Sequence, residues 1–187
     1  MNAKKVVVQQ ILKPYQTTPE KEYGAAFAPS NIALCKYWGK RNLALNLPVT
    51  SSLSISLAHK GADAKISISA TKAHEIFIDN ERLPAEYDHT HRLSAYLDLF
   101  RFNDQHYRVH LNFNIPVAAG LASSACGFAS LVKALDDLYA WKLDEKSLSI
   151  LARLGSGSAC RSIYSGFVEW QAGEKPDGSD SFAVPLN

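Results

Sequence analysis

Alternating apolar and polar positions predict β-strands through the middle of the chain. Between Ser52 and Leu57, leucine and isoleucine take every second position, with serine at most of the positions between them. A period of two is typical of a strand that buries one face. The same alternation, or a short apolar run, predicts further strands over 6–12, 64–70, 75–79, 107–114 and 166–171.

Other segments follow helical spacing. Apolar side chains recur three or four positions apart over 88–102 and again from Phe128 to Leu138. Asp144 can cap a third helix that runs to Leu154, with Gly155 as its end. Residues 13–24 contain Pro, Thr and Gly and predict a loop. Strands in antiparallel-like runs and a later pair of helices predict one α+β domain, with helices on one face of a mixed sheet.

Composition restricts the classes of function. The 187 residues are 47% hydrophobic, and the formal net charge is +2. We therefore expect a globular core, with no broad electrostatic attraction to nucleic acid or to an anionic membrane. No apolar run approaches the roughly 18 residues that span a bilayer. The three distant cysteines (Cys35, Cys126 and Cys160) predict small buried side chains without a disulfide framework, and a cytoplasmic location.

Histidines add no clear chemistry. His89 and His91 precede a helix and have no third ligand spaced nearby, so solvated side chains are expected there rather than a metal site. No histidine has a nucleophile partner that would indicate a hydrolase triad.

The segment from Ile115 to Gly127 indicates phosphate binding. Small residues join a strand to a long helix whose first N–H groups are free to meet an anion. Gly120 can adopt positive φ, and Ser123 and Ser124 can donate hydrogen bonds. The segment matches neither the Walker loop nor the dinucleotide fingerprint. A tightly packed, serine-capped turn is the alternative.

A second segment, 28–41, concentrates positive charge. Lys36, Lys40 and Arg41 lie close together, with Tyr37 and Trp38 between them. In a strand or in a helix, positions 36 and 40 share a face, so two cations would converge where an anionic ligand could bind. The alternative is a pair of unrelated solvated lysines beside a core tryptophan.

A third segment, 153–162, combines serine hydroxyls, new helix N–H groups and the guanidinium of Arg161. These groups together suit a carboxylate or another oxyanion. The alternative is an ordinary junction between helices with a surface arginine.

At these segments the chain resembles the mevalonate diphosphate decarboxylases, members of the GHMP small-molecule kinase superfamily. Lys-Tyr-Trp-Gly-Lys at 36–40 and Gly-Ser-Gly-Ser-Ala-Cys-Arg at 155–161 are the most specific motifs, and the glycine-serine loop at 116–125 is shared with the wider superfamily. The resemblance extends from about residue 25 to Trp170. It implies the GHMP N-terminal domain fold (ribosomal protein S5 domain 2-like), with a mostly antiparallel sheet.

The resemblance also implies an activity: ATP-dependent decarboxylation of mevalonate 5-diphosphate to isopentenyl diphosphate, in isoprenoid biosynthesis. ATP and Mg²⁺ would be required, with the metal near Ser123 or Ser124. Lys36 and Arg161 would be catalytic, and Arg161 would orient the departing carboxylate. Substrate would be bound by Tyr37, Trp38, Gly39, Lys40, Ser156, Gly157, Ser158, Ala159, Cys160 and Arg161. ATP would be bound by Gly120, Leu121, Ala122, Ser123 and Ser124.

The sequence departs from the family pattern at several positions, and these departures limit the activity that is expected of this chain. Thr50 stands where animal and fungal enzymes usually carry asparagine, and Glu75 falls near a position where they carry a substrate-reaching arginine. No motif matches the family's catalytic aspartate, and Asp177 and Asp180 belong to a Gly/Ser/Pro-rich loop. We therefore expect residues 1–187 to be an N-terminal ATP- and substrate-binding domain, with 1–24 as a strand and loop, lacking the C-terminal domain.

Two alternatives remain at this point. One is a GHMP kinase that phosphorylates a mevalonate derivative without decarboxylation. The other is a non-catalytic nucleotide-binding remnant. The family resemblance further implies a homodimer, with no nucleic-acid or membrane partner.

Overall fold

The structure of the protein, a computed structural model, describes residues 2–115 and 123–186. Its helices are α1 (Ala3–Leu12), α2 (Asp88–Leu97), α3 (Ser123–Tyr139) and α4 (Glu145–Gly155), with 3₁₀ helices at Asp98–Phe100 and Gly157–Ile163. Its strands are β1 (Tyr23–Cys35), β2 (Lys40–Asn42), β3 (Leu47–Pro48), β4 (Ser52–Ile68), β5 (Glu75–Ile78), β6 (Glu81–Arg82), β7 (Tyr107–Phe113), β8 (Phe167–Trp170) and β9 (Ala183–Leu186).

One long strand, β4, organises the sheet. In the described residues seven strands join in the order β6-β5-β7-β4-β8-β9, and β1 also pairs with β4. β4 pairs with β7 through its second half and with β8 through its first half, so Ile66 lies opposite Val109 and Ser52 lies opposite Trp170. Among the strand pairs of the described residues, only β5 and β7 run parallel. The expectation of a mixed, mostly antiparallel α+β fold is confirmed.

Helices cover one face of this sheet. Along β4, Ala62, Ala64 and Ile66 are buried while Asp63 and Lys65 between them are exposed. Ala64 and Ile66 join side chains of α3 and α4 in one apolar cluster, while Ala62 packs with Ile115 and Cys126 in a second, smaller one. Asp144 accepts a hydrogen bond from the Ser147 amide at 2.8 Å and caps α4, which ends at Gly155 as its sequence predicts. In the two described ranges, no helix is both long enough and apolar enough to cross a bilayer.

The N-terminal segment corrects one expectation. Residues predicted as a strand over 6–12 belong to α1, which begins when Asn2 Oδ1 accepts a hydrogen bond from the Lys4 amide at 3.0 Å. Val7 and Val8 are both buried, together with Leu12. Adjacent residues point to opposite faces of a strand, but they share the apolar face of a helix. The valine run suggested a strand, and packing against the rest of the protein selects the helix.

Candidate functional site

Arg161 lies in the 3₁₀ helix after α4 and points at the inner face of β4. Its Nε donates to Ser54 Oγ at 2.9 Å and its Nη1 to Ser52 Oγ at 2.6 Å. Its Nη2 donates to Asn31 Oδ1 of β1 at 3.3 Å. The side chain is only 2% exposed. The alternative of a surface arginine is therefore wrong.

The charge of Arg161 has no acidic partner among the described residues. Burial lowers its pKa, because removing a cation from water penalises the charged form. A guanidinium carries five N–H groups. Three are used by the two serines and the asparagine, so one N–H on each Nη atom is left. Such a pair matches the two oxygens of a carboxylate or of a phosphate.

Asn31 ties this arginine to its own helix. Besides accepting from Arg161, its amide Nδ2 donates to Ser162 Oγ at 2.7 Å and to the Ser158 carbonyl at 3.3 Å. Asn31 is 4% exposed, so these bonds are shielded from water. Sequence reasoning did not identify Asn31, Ser52 or Ser54 as members of the site. The alternation of serine with leucine and isoleucine over 52–57 shows that the serines share one face of the strand, but only the structure shows that this face is buried.

Aromatic side chains form a wall beside Arg161. Trp170 meets Tyr37 edge-to-face, with ring centroids 4.9 Å apart, and its ring centroid lies 6.0 Å from the guanidinium carbon of Arg161. Gly157 completes the wall. A Cβ at this position would lie 2.8 Å from Trp170 Cη2 and 3.5 Å from the Tyr37 hydroxyl. The first approach is too short for a carbon–carbon contact, so this position favours glycine.

The segment that carries Lys36 to Arg41 is neither helix nor continuous strand. Lys36 follows the end of β1 and is exposed. Lys40 Nζ donates to Asn46 Oδ1 at 2.8 Å. Arg41 donates to backbone carbonyls of the 172–175 loop. Trp38 is 79% exposed, so the alternative that made it a core residue is wrong.

Two departures noted in the sequence have local roles. Thr50 Oγ1 accepts a hydrogen bond from the Trp38 amide at 3.1 Å and thereby holds the 36–39 segment against the start of β4. Glu75 lies on β5 and accepts from Ser69 and from Arg108. These hydrogen bonds, that from Ser69 first, lower the pKa of Glu75. Its contacts give Glu75 a structural role in the sheet.

Serines of the segments 115–127 and 153–162 lie together. Ser124, in the first turn of α3, has its Oγ 3.5 Å from Ser156 Oγ, which is itself 3.5 Å from Ser158 Oγ. The loop residues Gly120, Leu121 and Ala122 lie outside the described residues. The fold thus brings the start of α3 and the start of the 3₁₀ helix to one place, where N–H groups and hydroxyls can face the same anion.

A cavity of about 320 Å³ opens beside Ser123 and Ser124. Its lining is mostly apolar and comes from β5, β7, α2, α3 and the segment before α2. Representative lining residues are Ile78, Leu83, Tyr87, Leu111, Phe113 and Phe128. These residues were not identified from the sequence, because five separate elements contribute them. An apolar cavity next to an anion-binding helix start suits a planar base that carries a phosphate chain.

The remaining predicted residues are either buried away from a ligand or do not form part of a metal-binding group. Ala159 and Cys160 are fully buried, so only their backbone could meet a ligand. Cys126 is buried as expected, but Cys35 is exposed, which contradicts its predicted burial. His89 and His91 are exposed near the start of α2. The described ranges contain no group of three His, Cys, Asp or Glu residues that could hold a metal ion.

Comparison with known proteins finds similarity to one family. The model of the diphosphomevalonate decarboxylase-like N-terminal domain matches residues 28–183. The diphosphomevalonate decarboxylase of Candida albicans is 41% identical over 173 residues, which cover 85% of this chain and 48% of that protein. The mevalonate diphosphate decarboxylase structure from Staphylococcus aureus aligns with a TM-score of 0.82 and 38% identity, over 89% of this chain and 50% of that one.

A third relative was solved with ligands. MDDEF in complex with MVAPP, AMPPCP and magnesium aligns with a TM-score of 0.77 and 34% identity, over 88% of this chain and 50% of that one. The chain spans about half the length of these relatives. By its matched residues, its fold and its motifs, this chain belongs to the diphosphomevalonate decarboxylase-like N-terminal domain family.

Proposed function

We propose that this chain forms the part of an ATP-dependent diphosphomevalonate decarboxylase that binds mevalonate 5-diphosphate and the phosphates of ATP. The observation that carries the proposal is Arg161: a buried cation without an acidic partner in the described residues, with two N–H groups left for a ligand. Keeping an unpaired charge out of water is costly. A bound anion would offset that cost, and MVAPP in the solved relative carries such groups.

The residues around Arg161 suit the two ends of this substrate. Arg161 would hold the carboxylate that leaves as carbon dioxide, because a two-point contact fixes the orientation of the bond that breaks. Tyr37, Lys40 and the hydroxyls of Ser156 and Ser158 would hold the diphosphate. Trp38 and Gly39 would border it.

Phosphoryl transfer would take place between Lys36 and the start of α3. Lys36 would offset negative charge near the C3 oxygen that receives the phosphoryl group. The loop 120–124 would wrap the ATP phosphates. Loss of phosphate from C3 would then accompany loss of carbon dioxide, with the electrons of the breaking C–C bond forming the double bond of isopentenyl diphosphate. The cavity beside Ser123 would hold the adenine.

Magnesium would be held mainly by ATP. The Ser124 hydroxyl is an oxygen donor of the kind that Mg²⁺ prefers. The described residues form no group of three His, Cys, Asp or Glu side chains that could hold a metal ion. The solved relative MDDEF is in complex with MVAPP, AMPPCP and magnesium together. The same proposal includes a cytoplasmic location and a homodimeric state of the enzyme.

The test measures two products and binding separately. The protein is incubated with ATP, Mg²⁺ and mevalonate 5-diphosphate, and ADP and carbon dioxide are quantified, while calorimetry measures substrate binding. Equal yields of both products support the decarboxylase. ADP alone would support the kinase, and binding without either product would support a non-catalytic binding protein. Arg82→Met serves as the matched control for variants of Arg161, because the side chain of Arg82 is 65% exposed.

A further inference from the structure

A second buried arginine, Arg153, lies in α4 and takes no part in the proposed chemistry. It is fully buried, and no acidic side chain forms an ion pair with it in the described part of the chain. Nε and Nη2 have no hydrogen-bond partner among the described residues. Burial lowers the pKa of Arg153 to about 10. A residue held under such unfavourable conditions is expected to serve a specific purpose.

The contacts that Arg153 makes are with the loop 171–182. Nη1 donates to the carbonyl of Gly178 at 2.8 Å and also to the carbonyl of Ser181. Gly178 has φ +70°, and a Cβ there would lie 2.6 Å from Arg153 Nη2. The glycine therefore allows the backbone to approach the guanidinium closely.

The rest of this loop is held by hydrogen bonds between side chains and its backbone. Arg41 donates to the carbonyls of residues 172, 173 and 175, at 3.1–3.2 Å. Asp180 accepts from the amides of Glu174 and Lys175 at 2.8 and 3.1 Å. The Gly/Ser/Pro-rich stretch is thus a closed loop that two arginines attach to α4 and to β2.

Ser181 connects the loop to the candidate site. Its carbonyl accepts from Arg153, while its hydroxyl accepts from Trp170 Nε1 at 3.1 Å and donates to the Gln171 carbonyl at 3.0 Å. Both Ser181 and Trp170 are fully buried. Trp170 is the ring that contacts Tyr37 and lies beside Arg161. A continuous set of contacts therefore joins Arg153 to the two side chains that would face the substrate.

We propose that Arg153 is a positioning residue: acting through Ser181, it fixes the indole of Trp170 and thereby the arrangement of Tyr37 and Arg161. The identity of the ligand rests on the proposed function, but the positioning of the indole does not. Replacement of Arg153 by methionine removes the hydrogen bonds to the loop and also removes an unpaired buried charge. The free energy of unfolding and the Kd for the ligand should therefore not change in parallel, because the buried charge that is removed was unfavourable to folding.

The test uses protein labelled with 5-fluorotryptophan, whose three ¹⁹F resonances report Trp38, Trp141 and Trp170 and are assigned with single Trp→Phe variants. In Arg153→Met and in Ser181→Ala we expect the Trp170 resonance to shift or broaden while the Trp141 resonance stays in place. The Kd for mevalonate 5-diphosphate should rise about tenfold in both. Arg153→Lys, which keeps a donor for the carbonyls, should recover part of the affinity. Arg82→Met is the control and should match the unchanged protein.

Two results would overturn the proposal: a Trp170 resonance that does not move, whether or not affinity falls, or a Kd within about twofold of the unchanged protein. If Arg153→Met fails to fold, Ser181→Ala still decides, because it removes only the hydroxyl that holds the indole. If the unchanged protein does not bind mevalonate 5-diphosphate, the proposed function is wrong. The Trp170 resonance, and the Kd for inorganic diphosphate in the same variants, then decide the positioning role separately.

Discussion

Replacing Arg161 by methionine separates ligand binding from folding. Methionine has a similar length but no charge, so the variant removes the buried cation without opening a large cavity. The three hydrogen bonds to Asn31, Ser52 and Ser54 are lost, and so is the cost of burying an unpaired charge. Because these two changes oppose each other, the free energy of unfolding without ligand should change by no more than about 2 kcal/mol.

The effect on binding should be much larger. Two charge-assisted hydrogen bonds remain available on the Nη atoms of Arg161, and each contributes about 1.5–3 kcal/mol. Their loss would weaken binding by about 3–6 kcal/mol, which raises the Kd for mevalonate 5-diphosphate by about two to four orders of magnitude. Arg161→Lys keeps the charge but loses the planar pair of donors, so it should recover only part of the affinity.

Calorimetric titration with mevalonate 5-diphosphate, together with urea unfolding of the same samples, measures both quantities. Arg82→Met is the control for an arginine-to-methionine change at an exposed site, and it should alter neither. A Kd for Arg161→Met within about threefold of the unchanged protein would refute the assignment of Arg161 to the ligand. So would a large loss of stability with normal ligand binding, because it would show that the residue serves folding alone.

Three further predictions concern packing, pH and thiol chemistry. Gly157→Ala should weaken diphosphate binding and lower the free energy of unfolding by about 1–3 kcal/mol, measured by titration and urea unfolding, because the new methyl group would overlap Trp170. Burial lowers the pKa of His74, so the contribution of His74 to the free energy of unfolding should be fully present above about pH 6.5 and fall as the pH drops towards the folded-state pKa. Urea midpoints between about pH 7.5 and pH 5 check this, and His74→Gln should show a smaller decline. A thiol reagent should label exposed Cys35 rapidly, and the two buried cysteines, whose pKa values are raised to about 11 and about 12, only after unfolding.

Local patterns predicted most of the elements. The strand alternation in β7 and the cap at Asp144 depend on residues close in sequence, and the structure confirms them. The two strands predicted over 52–57 and 64–70 form one strand, β4, in which Ser52 and Ser54 are buried and Leu53 and Ile55 are half-buried. The segment 6–12 was predicted wrongly because β-branched residues favour strands in general, while the helix is stabilised by burial against elements far along the chain. Cys35 was predicted to be buried from its small and apolar neighbours. It is exposed because β1 ends there.

The candidate site shows the same distinction between features set by neighbouring residues and features set by distant ones. Its motifs, and Arg161 within them, were identified from residue types and spacing. The partners of Arg161 were not, because Ser54 and Asn31 lie 107 and 130 positions away in sequence. The links from Arg153 through Ser181 to Trp170 were missed for a related reason: nothing in a loop of Gly, Ser and Pro indicates which of its carbonyls will meet a buried guanidinium.

The sequence by itself determined the class of fold, the family and the residue types available for binding anions, because these follow from periodicity and from short motifs. Only the tertiary structure decided that Arg161 is buried without an acidic partner in the described residues, and that Arg41 bonds to a loop instead of joining the cation cluster. The physical reason is that desolvation and hydrogen-bond pairing depend on which distant segments pack together. Those two effects decide whether an arginine is an ordinary surface charge or a group prepared for an anionic ligand.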